Sequence, residues 1–169
     1  PFPLDAPLTS LPGIGPQRAA LFARLNVRTV GELLRLYPRT YEDRTRLVSI
    51  ASLEAGTPAC FEAAVVTTPR TNRIPKPGIR MLEVTKFTVA DDTGRLNLTF
   101  FNAAHSAGAL RVGERYCFYG VLTGDFAAYG MTNPLFEPCD GPAHVTRRIL
   151  PVYPLTAGLT NSMVLRAQA

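Results

Sequence analysis

The sequence predicts a mainly β protein, in which a helical N-terminal segment precedes a five-stranded Greek-key barrel of the OB-fold type. From about Ala59 onward, stretches rich in Val, Thr and Phe alternate with Gly- and Pro-containing turns. A short helix candidate follows the third stretch, and a helix after the third of five strands is the order of an OB-fold. We therefore divide the chain into a helical segment (residues 1–50), the barrel (51–145), and a linker with the start of another helix (146–169).

Two short helices are predicted in the first segment. Pro16 to Leu25 begins with proline at a first helical position and brings Leu21, Phe22 and Leu25 to one face. Thr29 to Glu32 fits a capping box, and apolar residues continue at helical spacing from Val30 to Tyr37, before Pro38. Asn26 to Arg28 would join the two helices into a hairpin.

The stretch LPGIGP, Leu11 to Pro16, stands directly before the first helix. Backbone N–H groups of a Gly-x-Gly turn at a helix N-terminus can bind phosphate. The turn and the helix pair resemble the helix-hairpin-helix of DNA-binding proteins. The glycines equally suit a tight turn that touches no ligand, and we favour that simpler interpretation because the motif alone is weakly specific.

Five strands and a helix are predicted in the barrel. The strands are Cys60 to Thr68, Met81 to Ala90, Arg95 to Phe101, Arg115 to Thr123 and Tyr129 to Glu137, and the helix is Ala103 to Leu110. Three connections carry turn signals: Arg70 to Arg80 as a basic loop, Asp91 to Gly94 as a tight turn, and Gly124 to Ala128 as a second loop.

Phe100 and Phe101 end the third predicted strand, and neighbouring side chains of a strand point to opposite faces. Phe100 shares its face with Leu96 and Leu98, so we expect it in the core. Phe101 shares its face with polar residues and is expected to be exposed. Such a ring could simply pack on another part of the surface, or it could stack on a base.

The net charge of +5 and the pI near 9.5 favour an anionic partner. A genome whose codon usage favours arginine would explain the charge equally well. Its distribution is more informative than its sum. The predicted loop carries four cations and no acidic residue: Arg70, Arg73, Lys76 and Arg80. OB-folds bind single strands by combining basic loops with aromatic side chains, so this loop and Phe101 together favour nucleic-acid contact.

Composition argues against a hydrolytic or metal site. Two histidines and three widely separated cysteines (Cys60, Cys117, Cys139) give neither a metal-ligand spacing nor a paired disulfide framework, and we expect the thiols to be reduced and mostly buried. The adjacent carboxylates Glu42 and Asp43 lie among arginines and are expected to form structural ion pairs. We predict no catalytic residue and no bound metal in this chain.

No apolar run reaches membrane-spanning length and no signal peptide is visible, so we expect a cytoplasmic protein without a membrane partner. The chain begins at Pro1 and ends within a predicted helix capped by Thr160 to Ser162. We therefore expect it to be part of a longer protein.

Four blocks of the sequence resemble one family, and they follow one another in the same order as in that family. They are LTSLPGIGP, LNVRTVGELLRLYPRTYEDRT, TFFN at Thr99 to Asn102, and LPVYPLTAGLT at Leu150 to Thr160. In this order they resemble the N-terminal region of RecG, the ATP-dependent branched-DNA helicase. The similarity extends through essentially the whole chain.

The resemblance implies a wedge domain that docks at replication forks and Holliday junctions and splits the strands. Motor domains of the same chain would hydrolyse ATP with Mg²⁺, whereas this segment lacks a Gly-x4-Gly-Lys-Ser/Thr loop and would bind no cofactor. The stacking residues implied are Phe101 and His105, with Asn102 beside them. His105 departs from the tyrosine associated with the family, and its imidazole is a smaller platform.

The resemblance thus implies a monomeric junction-binding wedge of a helicase active in recombination and repair. The alternative is a passive OB-fold module that binds single-stranded nucleic acid or another protein without any junction role. Preference for a three-way junction over a single strand of equal length would separate the two.

Overall fold

The computed structural model describes residues 2–124, 129–144 and 146–169, with the side chains of Ile79 and Arg80 left out of the description. Most of the predicted loop Gly124 to Ala128 thus lies outside the described residues. The prediction of a mainly β protein with a helical N-terminal segment is confirmed. Within the described ranges, no helix has the length and apolar character needed to cross a membrane.

The described elements are four α-helices, ten strands and two short 3-10 helices, Leu8–Ser10 and Ile50–Ser52. The helices are α1 (Pro16–Ala23), α2 (Val30–Leu34), α3 (Ala104–Gly108) and α4 (Asn161–Gln168). The strands are β1 (Thr40–Asp43), β2 (Leu47–Val48), β3 (Pro58–Val65), β4 (Arg70–Lys76), β5 (Ile79–Ala90), β6 (Arg95–Phe101), β7 (Arg115–Thr123), β8 (Gly130–Thr132), β9 (Leu135–Pro138) and β10 (Ile149–Val152).

Five strands close into a ring in the order β3-β5-β6-β8-β7, with β7 returning to β3. All neighbours in the ring are antiparallel except β6 and β8, which run parallel. The helix α3 follows the third strand of the ring, β6. This closed order confirms the predicted OB-fold barrel.

Aromatic rings fill the barrel interior. Phe61 stacks on Phe118 with ring centroids 5.5 Å apart, and Phe87 stacks on Phe100 at 5.7 Å. Phe136 meets Phe100 edge-on at 5.8 Å. Phe100 is 4% exposed and Phe101 is 39% exposed, so the predicted register of β6 is confirmed.

The segment Arg70 to Arg80 is not the loop that the sequence predicts. Arg70–Lys76 forms β4, which pairs antiparallel with β5 through a two-residue turn at Pro77 and Gly78. Gly78 has φ +76°, a backbone conformation that glycine adopts without steric cost. Every residue of β4 is exposed, so the strand lacks the apolar alternation from which strands are predicted.

Two other predicted elements are shorter or divided. The predicted strand Tyr129 to Glu137 is two strands, β8 and β9, separated at Asn133 and Pro134; Asn133 has φ +46°. The second helix ends at Leu34 rather than continuing through Tyr37 to the stop at Pro38, and Tyr37 is 78% exposed. In both places the spacing of apolar residues in the sequence continues beyond the residue at which the helix or strand ends.

Chain contacts define two compact units, Pro1–Glu42 with Leu150–Ala169 and Asp43–Ile149. The first unit has its own core, in which Phe22 of α1, Leu33 of α2 and Val164 of α4 are buried together. The predicted capping box is present, because the Thr29 side chain accepts from Glu32 N and the Glu32 carboxylate accepts from Thr29 N. Residues 150–169, assigned to a linker from the sequence, thus belong to the same unit as the N-terminal helices.

In the second unit, the loop after β9 is held by a buried carboxylate on the outer face of the barrel. Glu137 is 7% exposed and accepts hydrogen bonds from His144 N (2.9 Å), Thr146 N (3.0 Å) and Thr146 Oγ1. Arg147, with φ +54°, donates to the carbonyls of Cys139 and Gly141. These contacts join the loop to β9.

The predicted tight turn after β5 is held by Asp91, whose carboxylate accepts from Thr93 N, Gly94 N and the distant Ile50 N. Burial opposes ionisation, but these hydrogen bonds outweigh it and lower the pKa of Asp91 below its usual value. The ionised carboxylate therefore stabilises the fold above the unfolded-state pKa of about 4, and this stabilisation is lost as pH falls through the lower folded-state pKa.

The replacement Asp91→Asn should accordingly lower the free energy of unfolding at pH 6 and reduce its decline between pH 6 and pH 3. Denaturant unfolding at the two pH values measures both effects. The exposed neighbour Asp92 supplies the control variant Asp92→Asn, for which little change is expected. Parallel pH curves for Asp91→Asn and the unaltered chain would contradict the role given to Asp91.

Candidate nucleic-acid interface

The exposed Phe101 ends β6 on the outer face of the barrel. Its register partner on β5 is Val84, and the preceding outer residues of β6, Thr99 and Asn97, pair with Lys86 and Thr88. The second and third strands of an OB-fold ring form its usual nucleic-acid-binding face, and these are β5 and β6 here. Phe101 thus lies on the face where the fold class places its ligand.

Two asparagines in the left-handed backbone region fix the main chain at Phe101. Asn133 Oδ1 accepts from Phe101 N at 2.8 Å, and Asn133 N donates to Thr99 O at 2.8 Å. Asn102, with φ +51°, donates from its own N to Glu83 O and accepts from Glu83 N at Oδ1. The end of β6 is therefore held on both sides, which leaves the Phe101 ring as the group presented outward.

Asn102, predicted to contact nucleic acid, has its amide oxygen engaged by the backbone of β5. Its observed contacts position the end of β6. His105 lies exposed in α3, four residues after Phe101 along the chain. Contact of either residue with DNA stays a prediction.

A groove lies beside Phe101 on the same outer face. Arg70 of β4 is the register partner of Lys86 of β5, which in turn pairs with Thr99. Both cations are exposed. The groove has a volume of about 480 Å³, and its polar lining comprises Thr67, Thr68, Arg70, Lys86, Thr88, Asn97 and Thr99. Two cations and a row of hydroxyl and amide groups can bind a phosphate backbone.

The four predicted cations are not one cluster. Arg73 pairs with Glu83 in the strand register and forms an ion pair with it, Nε to Oε1 3.1 Å, on the face opposite to Arg70. A register shift after Ile74 places Lys76 opposite Ile79, beside the hairpin turn. Arg80 belongs to β5, and its side chain lies outside the described part of the structure.

Lys86 and Asn133 are the residues of this surface that the sequence reasoning did not select. Lys86 sits within an apolar strand, and only its pairing with Arg70 makes it part of a basic groove. Asn133 follows β8 and reaches Phe101 from thirty-two residues away. The positive φ of Asn133 falls at an Asn-Pro pair, which was the available signal for a turn.

The Gly13 to Gly15 turn has an internal role in the helical unit. Gly13 has φ +81°, and its carbonyl accepts from Arg18 Nη1 at 2.6 Å. A cation that could have faced a phosphate is thus bonded to the turn itself. DNA contact stays the less favoured interpretation of this turn.

The closed ring places this chain in the class of OB-fold domains, and an outward aromatic ring beside a basic groove is the combination that such domains use to bind nucleic acid. The family model described as the RecG wedge domain matches residues 8–167. The chain belongs to this family.

Among curated proteins, the chain is similar to the ATP-dependent DNA helicase RecG of Escherichia coli K12, at 33% identity over 168 residues covering 94% of the chain and 22% of that protein. RecG of Thermotoga maritima is 24% identical over 156 residues, covering 90% and 19%. A solved structure of RecG bound to a three-way DNA junction matches with TM-score 0.81 and 23% identity, over 99% of this chain and 22% of that one, and shows the shared fold. The chain spans about a fifth of the length of these relatives.

Proposed function

We propose that this chain is the junction-binding wedge of a RecG-type ATP-dependent DNA helicase that remodels stalled forks and Holliday junctions. The observation that carries the proposal is Phe101: an exposed ring on the OB-fold binding face, whose main chain is held by Asn133 and Asn102. The name of the curated relatives and the junction bound by the RecG of known structure support the substrate class.

The wedge would act by shape and stacking rather than by chemistry. A closed barrel is too wide to enter a duplex, so a barrel at the branch point keeps the separated strands apart. The Phe101 ring would stack on the base at the branch point, with His105 as a second platform. Arg70 and Lys86 would bind phosphates of one separated strand in the groove.

The helicase reaction itself would belong to motor domains elsewhere in the same longer protein, which would bind ATP and Mg²⁺. The residues of this chain do not fit that role. No Gly-x4-Gly-Lys-Ser/Thr stretch occurs in the sequence, and neither Lys76 nor Lys86 follows such a glycine. The wedge would act as a monomer and supply binding and strand separation without hydrolysis.

The replacement Phe101→Ala should weaken binding to a three-way junction by about 1 to 3 kcal/mol, the usual value of a base-aromatic stack. Titration of a labelled junction measures the change. Tyr37→Ala removes an aromatic ring of the helical unit that is even more exposed (78%, against 39% for Phe101) and should leave the affinity unaltered. An unchanged affinity for Phe101→Ala would remove the stacking residue from the mechanism.

The double replacement of Arg70 and Lys86 by alanine should reduce the salt dependence of junction binding. Each lost phosphate contact lowers the slope of log K against log salt by about 0.7 for single strands. A control with the same loss of charge is the double replacement of Arg24 and Arg35, which are exposed in the helical unit. Equal slopes for the groove variant and the unaltered chain would exclude the groove as a phosphate site.

The alternative function, a passive single-strand or protein-binding module, makes a different prediction for the unaltered chain. A wedge should bind a three-way junction more tightly than a single strand of equal length. Equal affinity for the two would favour the passive module, because the barrel face alone would then account for all of the binding.

A further inference from the structure

Three potential metal ligands meet on the outer face of β3, β7 and β9, at the edge of the loop held by Glu137. The Sγ atoms of Cys117 and Cys139 are 3.1 Å apart. These sulfurs and a carboxylate oxygen of Glu62 all lie within 4.8 Å of one another. The spacing of these residues along the chain shows nothing of this, because strand pairing brings them together: Glu62 is the register partner of Cys117, and Cys139 follows the end of β9.

The distances suit one small ion. In a tetrahedral zinc site each sulfur lies about 2.3 Å from the metal, so two sulfurs stand about 3.8 Å apart. The two thiols would therefore separate by less than about 1 Å to bind the same ion, and a carboxylate oxygen is a common third ligand. Cys117 is buried, whereas Cys139 and Glu62 are partly exposed and provide the side from which an ion could enter.

A disulfide suits the strand geometry less well. Cys117 pairs with Glu137, so Cys139 is displaced by two residues from the position opposite Cys117. Within paired strands, diagonal residues have Cα atoms about 7 to 8 Å apart, beyond the usual Cα separation of about 4.4 to 6.8 Å in disulfides, and Cys139 lies one residue past the end of β9. A metal ion can bridge a longer span, because two metal–sulfur bonds take the place of the single sulfur–sulfur bond.

The charges of the three proposed ligands would be offset by a divalent ion together with Arg115. Two thiolates and one carboxylate carry three negative charges, and the ion would neutralise two of them. The guanidinium of Arg115 lies 2.8 Å from Glu62, Nε to Oε1, and offsets the third. The nearby carboxylate of Glu137 is already engaged by donors from the loop at His144 and Thr146.

We propose that Glu62, Cys117 and Cys139 form a binding site for one thiophilic divalent cation of the zinc class, with a fourth position open to water. The ion would join β3, β7 and the residue after β9. It would therefore fix the start of the loop after β9, whose later residues are bound by Glu137 and Arg147. The site would be structural and independent of the DNA-binding face.

The test titrates the reduced 169-residue chain with Cd²⁺, followed by its thiolate charge-transfer absorbance, and with Zn²⁺ by calorimetry. The expected result is one ion per chain, with affinity lowered at least tenfold by Cys139→Ala and by Glu62→Gln. Cys60→Ser, which alters a buried thiol outside the ligand set, should bind normally. Circular dichroism confirms that each variant is folded.

Three outcomes would overturn the proposal. The first is that the reduced chain binds no ion in either titration. The second is that Cys139→Ala, the variant of the partly exposed ligand, binds as tightly as the unaltered chain. The third is that mass spectrometry shows a disulfide between Cys117 and Cys139 in mildly oxidising buffer while no ion binds in reducing buffer, in which case the pair is a redox pair rather than a metal site.

Discussion

The replacement Phe100→Ala is expected to lower the free energy of unfolding by about 3 to 5 kcal/mol, as truncation of a buried phenylalanine usually does. The ring is 4% exposed and contacts Phe87 face to face and Phe136 edge-on. Its removal leaves a cavity between β5, β6 and β9 that these large rings cannot readily fill. Denaturant unfolding at pH 7 measures the loss.

Phe101→Ala is the matched control, because it makes the same chemical change on the opposite face of the same strand. Its effect on unfolding should stay within about 0.5 kcal/mol. The two variants together test the register of β6 independently of any DNA measurement. If Phe101→Ala were the destabilising variant, the register would be wrong by one residue.

The replacement Glu137→Gln is expected to cost about 2 to 3 kcal/mol, because a buried charged acceptor of several hydrogen bonds becomes a neutral amide. One amide oxygen cannot replace both carboxylate oxygens, and the new NH₂ group would face the N–H donor of His144 or Thr146. The loop after β9 should then open more often. Tryptic cleavage at Arg147 and Arg148 should therefore become faster as well.

Exposed Glu54 provides the control variant Glu54→Gln, which should alter neither the unfolding free energy nor the cleavage rate. The unfolding free energy reports the stability of the fold, whereas the cleavage rate reports how often the loop after β9 opens. A loss of stability without faster cleavage would mean that Glu137 supports the barrel rather than the loop. Unchanged stability would contradict its place as the anchor of the loop.

The third barrel strand shows how far sequence reasoning reaches. Its bounds, Arg95–Phe101, and the opposite exposure of Phe100 and Phe101 follow from strict alternation of apolar and polar residues, which half-buried strands require. The capping box at Thr29 is predictable for a similar reason, since both hydrogen bonds form within four residues. Signals of this kind are local, and the structure confirms them.

The groove was not predictable, because it depends on pairing between distant strands. Nothing near Lys86 indicates that Arg70 will lie opposite, and nothing near Arg73 indicates that Glu83 will neutralise it in part. The sequence predicts a loop in place of β4 because a strand exposed on both faces has no apolar period. The proximity of Glu62, Cys117 and Cys139 was not predictable either, because it also depends on pairing between distant strands.

The exposure of β4 has a consequence for self-association. Among the described residues β4 pairs with β5 alone, so its other edge carries unpaired backbone groups that could recruit the same strand from a second copy. Pro75 offers no N–H there, and Arg70, Arg73 and Lys76 would bring like charges together if two such edges met. The exposed cations of this hairpin would thus oppose edge-to-edge association of two copies. Variants that remove these charges should be checked for aggregation before their DNA affinity is interpreted.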